Sequence, residues 1–135
     1  MSLVAAIRSD SGASRILLIL ALERRCLALV SVPLMIEYEA ILTRPEHLAA
    51  SGLSSDEMQT LLDSVALVAE PVRLSYLWRP SLSDVDDDMV LETAANGRAE
   101  MLVTFNRRHF EPAAATFGIV VVTPIEALQR LEKKP

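Results

Sequence analysis

The chain has 135 residues, of which 51% are hydrophobic and 23% charged, and a formal net charge of −5. That length makes one domain, residues 1–135, large enough to bury a core. The acidic balance excludes a general nucleic-acid coat, which needs clustered Lys and Arg. The longest apolar run, ILLILAL at 16–22, is far below the ~20 residues of a membrane span, and with no basic stretch followed by an apolar segment and a cleavage site at the start, no leader peptide is expected. The single cysteine, Cys26, has no internal partner and reads as a small buried hydrophobe. A soluble cytoplasmic protein with no membrane partner is expected.

In chain order, ASRILLILALER at 13–24 is apolar nearly all round and predicts a helix buried on more than one side. CLALVS at 26–31 predicts a buried strand, and Pro33 then opens a helix over 33–43 with Leu34, Tyr38, Ile41 and Leu42 at helical spacing. Glu37 lies at the edge of that stripe. Ser54 and Glu57 form a capping box, with Leu53 stapled onto Met58, and start a helix from about 55 to the mid 60s. ALVAEPV carries only a faint strand signal. MVLETAANG predicts a helix closed by Asn96-Gly97, glycine taking the left-handed cap. EMLVT at 100–104 is the next strand, FNRRHFEP a loop, and GIVVVT at 118–123 a strand whose β-branched run fits a parallel sheet covered on both faces. Thr123, Pro124 and Glu126 cap the last helix. Strands alternating with helices predict a three-layer α/β fold with a parallel sheet and its crevice at the carboxyl ends of the strands.

Residues 84–88 crowd Asp84, Asp86, Asp87 and Asp88 into five positions. Capping of free N–H groups at a helix start accounts for one or two of them. Four like charges repel, which leaves two readings: an acidic loop in solvent, or a cluster answering to a cation. Glu37 adds a second acid that must be solvated, paired or metal-bound. If helix 33–43 packs near the strand ends, Glu37 and the aspartates share a pocket, and hard oxygen donors there select Mg²⁺ or Mn²⁺ over zinc. A phosphoacceptor or haloacid-type phosphatase would need a lysine at a later strand end, yet lysine occurs only at 133 and 134. A phosphate-binding P-loop is excluded because its Gly-Lys-Ser/Thr is missing.

The blocks SVPLMIEYEAILTRP (31–45), DVDDDMVLETA (84–94), AEMLVTFNRRHF (99–110) and GIVVVTPIEAL (118–128), in that order and spacing, resemble the PIN domain family, in particular the toxin components of toxin-antitoxin pairs. The resemblance covers essentially the whole chain. It implies an Mg²⁺- or Mn²⁺-dependent ribonuclease with three or four clustered acids, an RNA substrate and a cognate antitoxin. By position, Glu37 resembles the second acid and Asp87, seven residues before Ala94, the third. Asp84 is the reserve metal ligand, with Asp86 and Asp88 as caps or outer groups. Thr104 matches a hydroxyl at the end of the fourth strand, Asn106 stands where an acid or Asn is usual, and His109 where an Asp is frequent.

The chain departs from the pattern at its beginning. Family members open with a short apolar strand ending in the first acid, followed by a helix that LVAAIRSDSGASR resembles here. The fold is therefore expected without its first strand, with Met1-Ser2-Leu3 reading as a cloning-derived or a misplaced start. Glu37 and Asp87 would hold one ion that activates water, with Thr104 and Asn106 beside it. Arg107, Arg108, Arg73 and Arg79 are candidates to grip phosphates, each against the plainer reading of a solvated surface arginine. His47, His109 and Trp78 read as ordinary structural residues. So short an acidic set predicts weak or absent cleavage, regained when an upstream strand ending in Asp is restored. The alternative is a catalytically impaired PIN-like module that acts by binding its antitoxin. A homodimer is also expected, through helices 13–24 and 55–66, because a small apolar chain lacking a strand leaves surface to cover.

Overall fold

In the computed structural model, which describes residues 2–6, 26–75, 85–104 and 107–132 (85–87 and 132 as backbone only), the short apolar runs pair into one sheet. Its strands are β1 (Ser2–Ala5), β2 (Leu27–Val30), β3 (Glu70–Pro71), β4 (Met101–Val103) and β5 (Val120–Val122), in the order β3-β2-β1-β4-β5. All four pairings are parallel. The helices are α1 (Val32–Leu42), α2 (Pro45–Ser51), α3 (Ser55–Val68), α4 (Val85–Gly97), α5 (Arg107–Ala115) and α6 (Pro124–Glu132). The expected helix 13–24 lies outside the described residues.

The expectation of a missing first strand is overturned. Ser2–Ala5, read as a misplaced start running into a helix-like LVAAIRSDSGASR, is the central strand, with Leu3 opposite Ala28 on one side and Val4 opposite Leu102 on the other. Leu3 and Val4 point to opposite faces and both are buried. Hydrogen bonding to two neighbours, with burial on both faces, outweighs the helical leaning of an LVAA run.

The sheet carries a helical layer on each face. Val4, Leu29, Leu102 and Val121 share one core with Leu34, Tyr38 and Ile41 of α1, Met58 and Leu62 of α3, Leu91 and Ala94 of α4, and Phe110 and Ala114 of α5. Leu3, Met101, Val103 and Val122 face the other way against Ala127 and Leu131 of α6, with Cys26 buried among them. Ser54 and Glu57 make both bonds of the capping box that starts α3, and Thr123 and Glu126 do the same for α6.

Several boundaries differ from expectation for local reasons. ALV of the faint strand signal continues α3 to Val68, leaving only Glu70–Pro71 to pair with β2. The FNRRHFEP strip turns helical from Arg107: Phe110 and Ala114, one turn apart, are buried, and Pro112 on the exposed side removes a single backbone bond. β5 is an edge strand and Val120 is exposed, so its face is only partly covered. At the end of α4 the left-handed residue is Arg98, φ 53°, not Gly97. Ala99 N–H bonds Ala94 O and Arg98 N–H bonds Ala95 O, the paired bonds of a Schellman turn. Gly97 answers to space instead: a Cβ there would lie 2.8 Å from Val72 Cγ2 and 3.0 Å from Leu29 Cδ1.

Candidate active site at the switch point of the sheet

From β1 the chain builds outward through β2 to β3, then crosses back by α4 to β4 on the other side of β1. The switch point therefore lies between β1 and β4, where open parallel sheets place their ligand crevice. Its rim is made of Ala5 at the end of β1, Ala6 just after it, and Thr104 just after β4. Ala6 N–H donates to Val103 O at 2.8 Å, and Thr104 N–H donates to Val122 O at 2.9 Å. Thr104 is buried. No carboxylate ends β1.

Two helices bring acids to this side. α1 starts directly after β2: Ser31 caps it, its Oγ accepting from Leu34 N–H at 3.3 Å, and Pro33 stands at its first turn. Glu37 follows about one and a half turns later and is half-buried, between exposed Ile36 and buried Tyr38. Tyr38 donates its hydroxyl proton to Ala5 O, tying α1 to the end of the central strand. Burial pushes the Tyr38 hydroxyl well above its ordinary pKa.

α4 packs against α1 and over β1, β2 and β4. Asp87 is the third residue of α4 and is described as backbone only, so its side-chain placement, like Asp84 and Asn106, lies outside the described residues. Asp88, read as a cap or outer group, is 2% exposed, and Glu92, one turn on, is 1% exposed. Sequence reasoning passed over Glu92, although an acid four residues after Asp88 inside MVLETA was the available signal. Neither carboxylate is without a neighbour to engage it, and the same holds for Glu37, Thr104 and His109. Among the described residues no group of three or more His, Cys, Asp or Glu is arranged to hold a metal ion. Two of the three expected ligands, Asp84 and Asp87, fall outside that set.

The arginines divide. Arg107 pairs with Glu126 at 3.3 Å and Glu111 at 3.5 Å, whereas Arg108 and Arg73 are exposed and Arg79 lies outside the described residues. His109 stands edge-on to Phe110, ring centroids 5.2 Å apart, and His47 is buried on α2.

A family model described as PIN domain matches residues 2–108. The chain belongs to the PIN domain family. The match runs from β1 through the first turn of α5 and includes Glu37, Asp87, Thr104 and Asn106. PIN domains are a nuclease-type fold that generally uses divalent metals and is associated with RNA binding. Comparison with curated proteins and with solved structures gave no match. Among the described residues no helix of this PIN domain is long and apolar enough to cross a membrane.

Proposed function

We propose that this PIN domain is an Mg²⁺- or Mn²⁺-dependent ribonuclease of the toxin type whose acidic site is short of ligands, so that cleavage by the chain is slow or absent. The observation that carries the reading is that α1, with Glu37, packs on α4, with Asp87 in its first turn, and is tied to the end of β1 by Tyr38. The donor set is oxygen only, which suits a hard divalent cation in kind. In number it is poor, because β1 ends at Ala5, is followed by Ala6, and brings no acid.

Glu37 and Asp87 would hold the ion, with Asp84 in reserve. An ion held there would supply Lewis-acid polarisation of a phosphodiester oxygen and a water of lowered pKa. Thr104 and Asn106 would hydrogen-bond and orient a water or a phosphate oxygen, which asks for no charge from either. Arg108 and Arg73 contact flanking phosphates, while Arg107 is engaged by Glu111 and Glu126. The test is RNA cleavage with and without Mg²⁺ or Mn²⁺: residual activity that is metal-dependent and lost in Asp87→Asn and Glu37→Gln supports the reading. Metal-independent cleavage refutes it.

The acid-free end of β1 also favours a second reading, a catalytically impaired PIN module in the cytoplasm that works by binding a cognate antitoxin, itself as a homodimer. A chain that binds no Mn²⁺ and cleaves no RNA, yet forms a stable complex with a small protein encoded beside it, would decide for this alternative.

A further inference from the structure

Between α1 and α4 runs a buried chain of hydrogen bonds whose direction can be assigned. Thr93 Oγ1 bonds Met89 O at 2.8 Å, and a carbonyl only accepts, so Thr93 spends its one proton there. Ser31 Oγ and Thr93 Oγ1 are 2.8 Å apart, and Ser31 must be the donor of that bond. Ser31 Oγ in turn accepts from Leu34 N–H. The relay thus passes from the first turn of α1, through Ser31 and Thr93, to the backbone of α4. Ser31 is 2% exposed and Thr93 fully buried, so water cannot replace either partner, and losing one strands the other.

We infer that Ser31 and Thr93 are positioning residues of the PIN site: their hydroxyl pair fixes the helix that carries Glu37 against the helix that carries Asp87, and so sets the separation of the two acids. This rests on the metal-dependent reading given above. The pair joins the N-cap of α1 to α4, one residue after β2 ends at Val30. Tyr38 supplies the second anchor through Ala5 O, so α1 is held on both sides of Glu37. A packed apolar contact alone tolerates small sliding between helices, whereas a buried hydroxyl pair has one geometry. Outer groups that orient metal ligands are worth about 10–100-fold in metal affinity, and these two act one step further out.

The experiment is a Mn²⁺ titration of the intact chain by electron paramagnetic resonance, with folding checked by circular dichroism. Asp87→Asn serves as the site control and Leu62→Ala, which opens the α3 core, as the stability control. The expected result is that Thr93→Val and Ser31→Ala each weaken Mn²⁺ binding by about tenfold, that Thr93→Ser restores it, and that the double variant is no weaker than either single one. Leu62→Ala keeps the parent affinity while melting earlier. Parent affinity in Thr93→Val, or an equal loss in Leu62→Ala, overturns the positioning role and leaves the metal reading standing. If Thr93→Val fails to fold, Ser31→Ala against Leu62→Ala decides. No Mn²⁺ binding by the parent, or none lost in Asp87→Asn, overturns the metal reading and the positioning role together.

Discussion

The hydroxyl of Tyr38 on α1 donates to the carbonyl oxygen of Ala5, the last residue of the central strand, inside the core shared by the sheet and four helices. Burial raises the folded-state pKa of this tyrosine above its unfolded value near 10. The unfolded chain therefore releases the proton first, and the contribution of Tyr38 is complete below about pH 10 and lost as pH rises further. Tyr38→Phe should cost about 1–2 kcal/mol at neutral pH, because Ala5 O loses its donor, and should show a shallower alkaline loss than the parent. Denaturant titrations at neutral and alkaline pH compare the two; parallel alkaline limbs would refute the assignment.

The end of α4 separates space from backbone conformation. Gly97→Ala drives a methyl against Val72 and Leu29 and should destabilise by about 1–3 kcal/mol. Arg98→Gly relieves a left-handed arginine, a conformation costing about 1–2 kcal/mol, less what glycine's freedom in the unfolded chain takes back. A small net gain in midpoint is expected. Thermal melts showing the opposite order would mean that Gly97 is the left-handed cap after all.

Glu57 and Glu126 both have carboxyl pKa values below the ordinary range, chiefly because each accepts the backbone N–H of the residue it caps, Ser54 or Thr123. Carboxylates held down in the folded state stabilise above their unfolded pKa, and that contribution disappears as pH falls through the folded value. The double variant Glu57→Gln, Glu126→Gln should therefore lose less stability than the parent on acidification from neutral pH to the lower end of the carboxylate range. Melting curves across that range measure it.

Ala6 directly follows the last residue of the central strand and lies beside Thr104 at the switch point. Ala6→Asp supplies an oxygen ligand there and should raise Mn²⁺ affinity and metal-dependent RNA cleavage together, at some cost in stability because the position is buried. Combining it with Asp87→Asn should cancel the gain. A gain that survives Asp87→Asn would place the metal elsewhere.

For the expected homodimer, α1 offers two exposed apolar residues one turn apart. Val32 is 74% exposed and Ile36, one turn on, is 64% exposed; α3 buries Met58, Leu62 and Val65 and turns Ser55, Asp56, Thr60 and Asp63 outward, with Leu67 as its exposed apolar residue. Ile36→Glu should shift a dimer to monomer at micromolar concentration by light scattering. A parent chain that is already monomeric removes the expectation.

Wherever a short motif satisfied its own backbone, the sequence alone was sufficient. Ser54 with Glu57 and Thr123 with Glu126 close local bonds within four residues, and α1 shows its stripe of Leu34, Tyr38, Ile41 and Leu42 directly. The neighbouring parallel strands 100–104 and 118–123 and the PIN resemblance were legible for the same reason: apolar period and block order are properties of the chain itself. Tertiary structure decided what depends on distant partners. Ser2–Ala5 has no strand period of its own and becomes the central strand because β2 and β4 lie on both sides of it. Arg107–Ala115 is a helix because Phe110 and Ala114 find the core. Glu92 and Thr93 look like exposed polar residues in MVLETA, yet α4 passes across the middle of the sheet and is enclosed there, so its acids and its hydroxyl must answer to neighbours that no local pattern names.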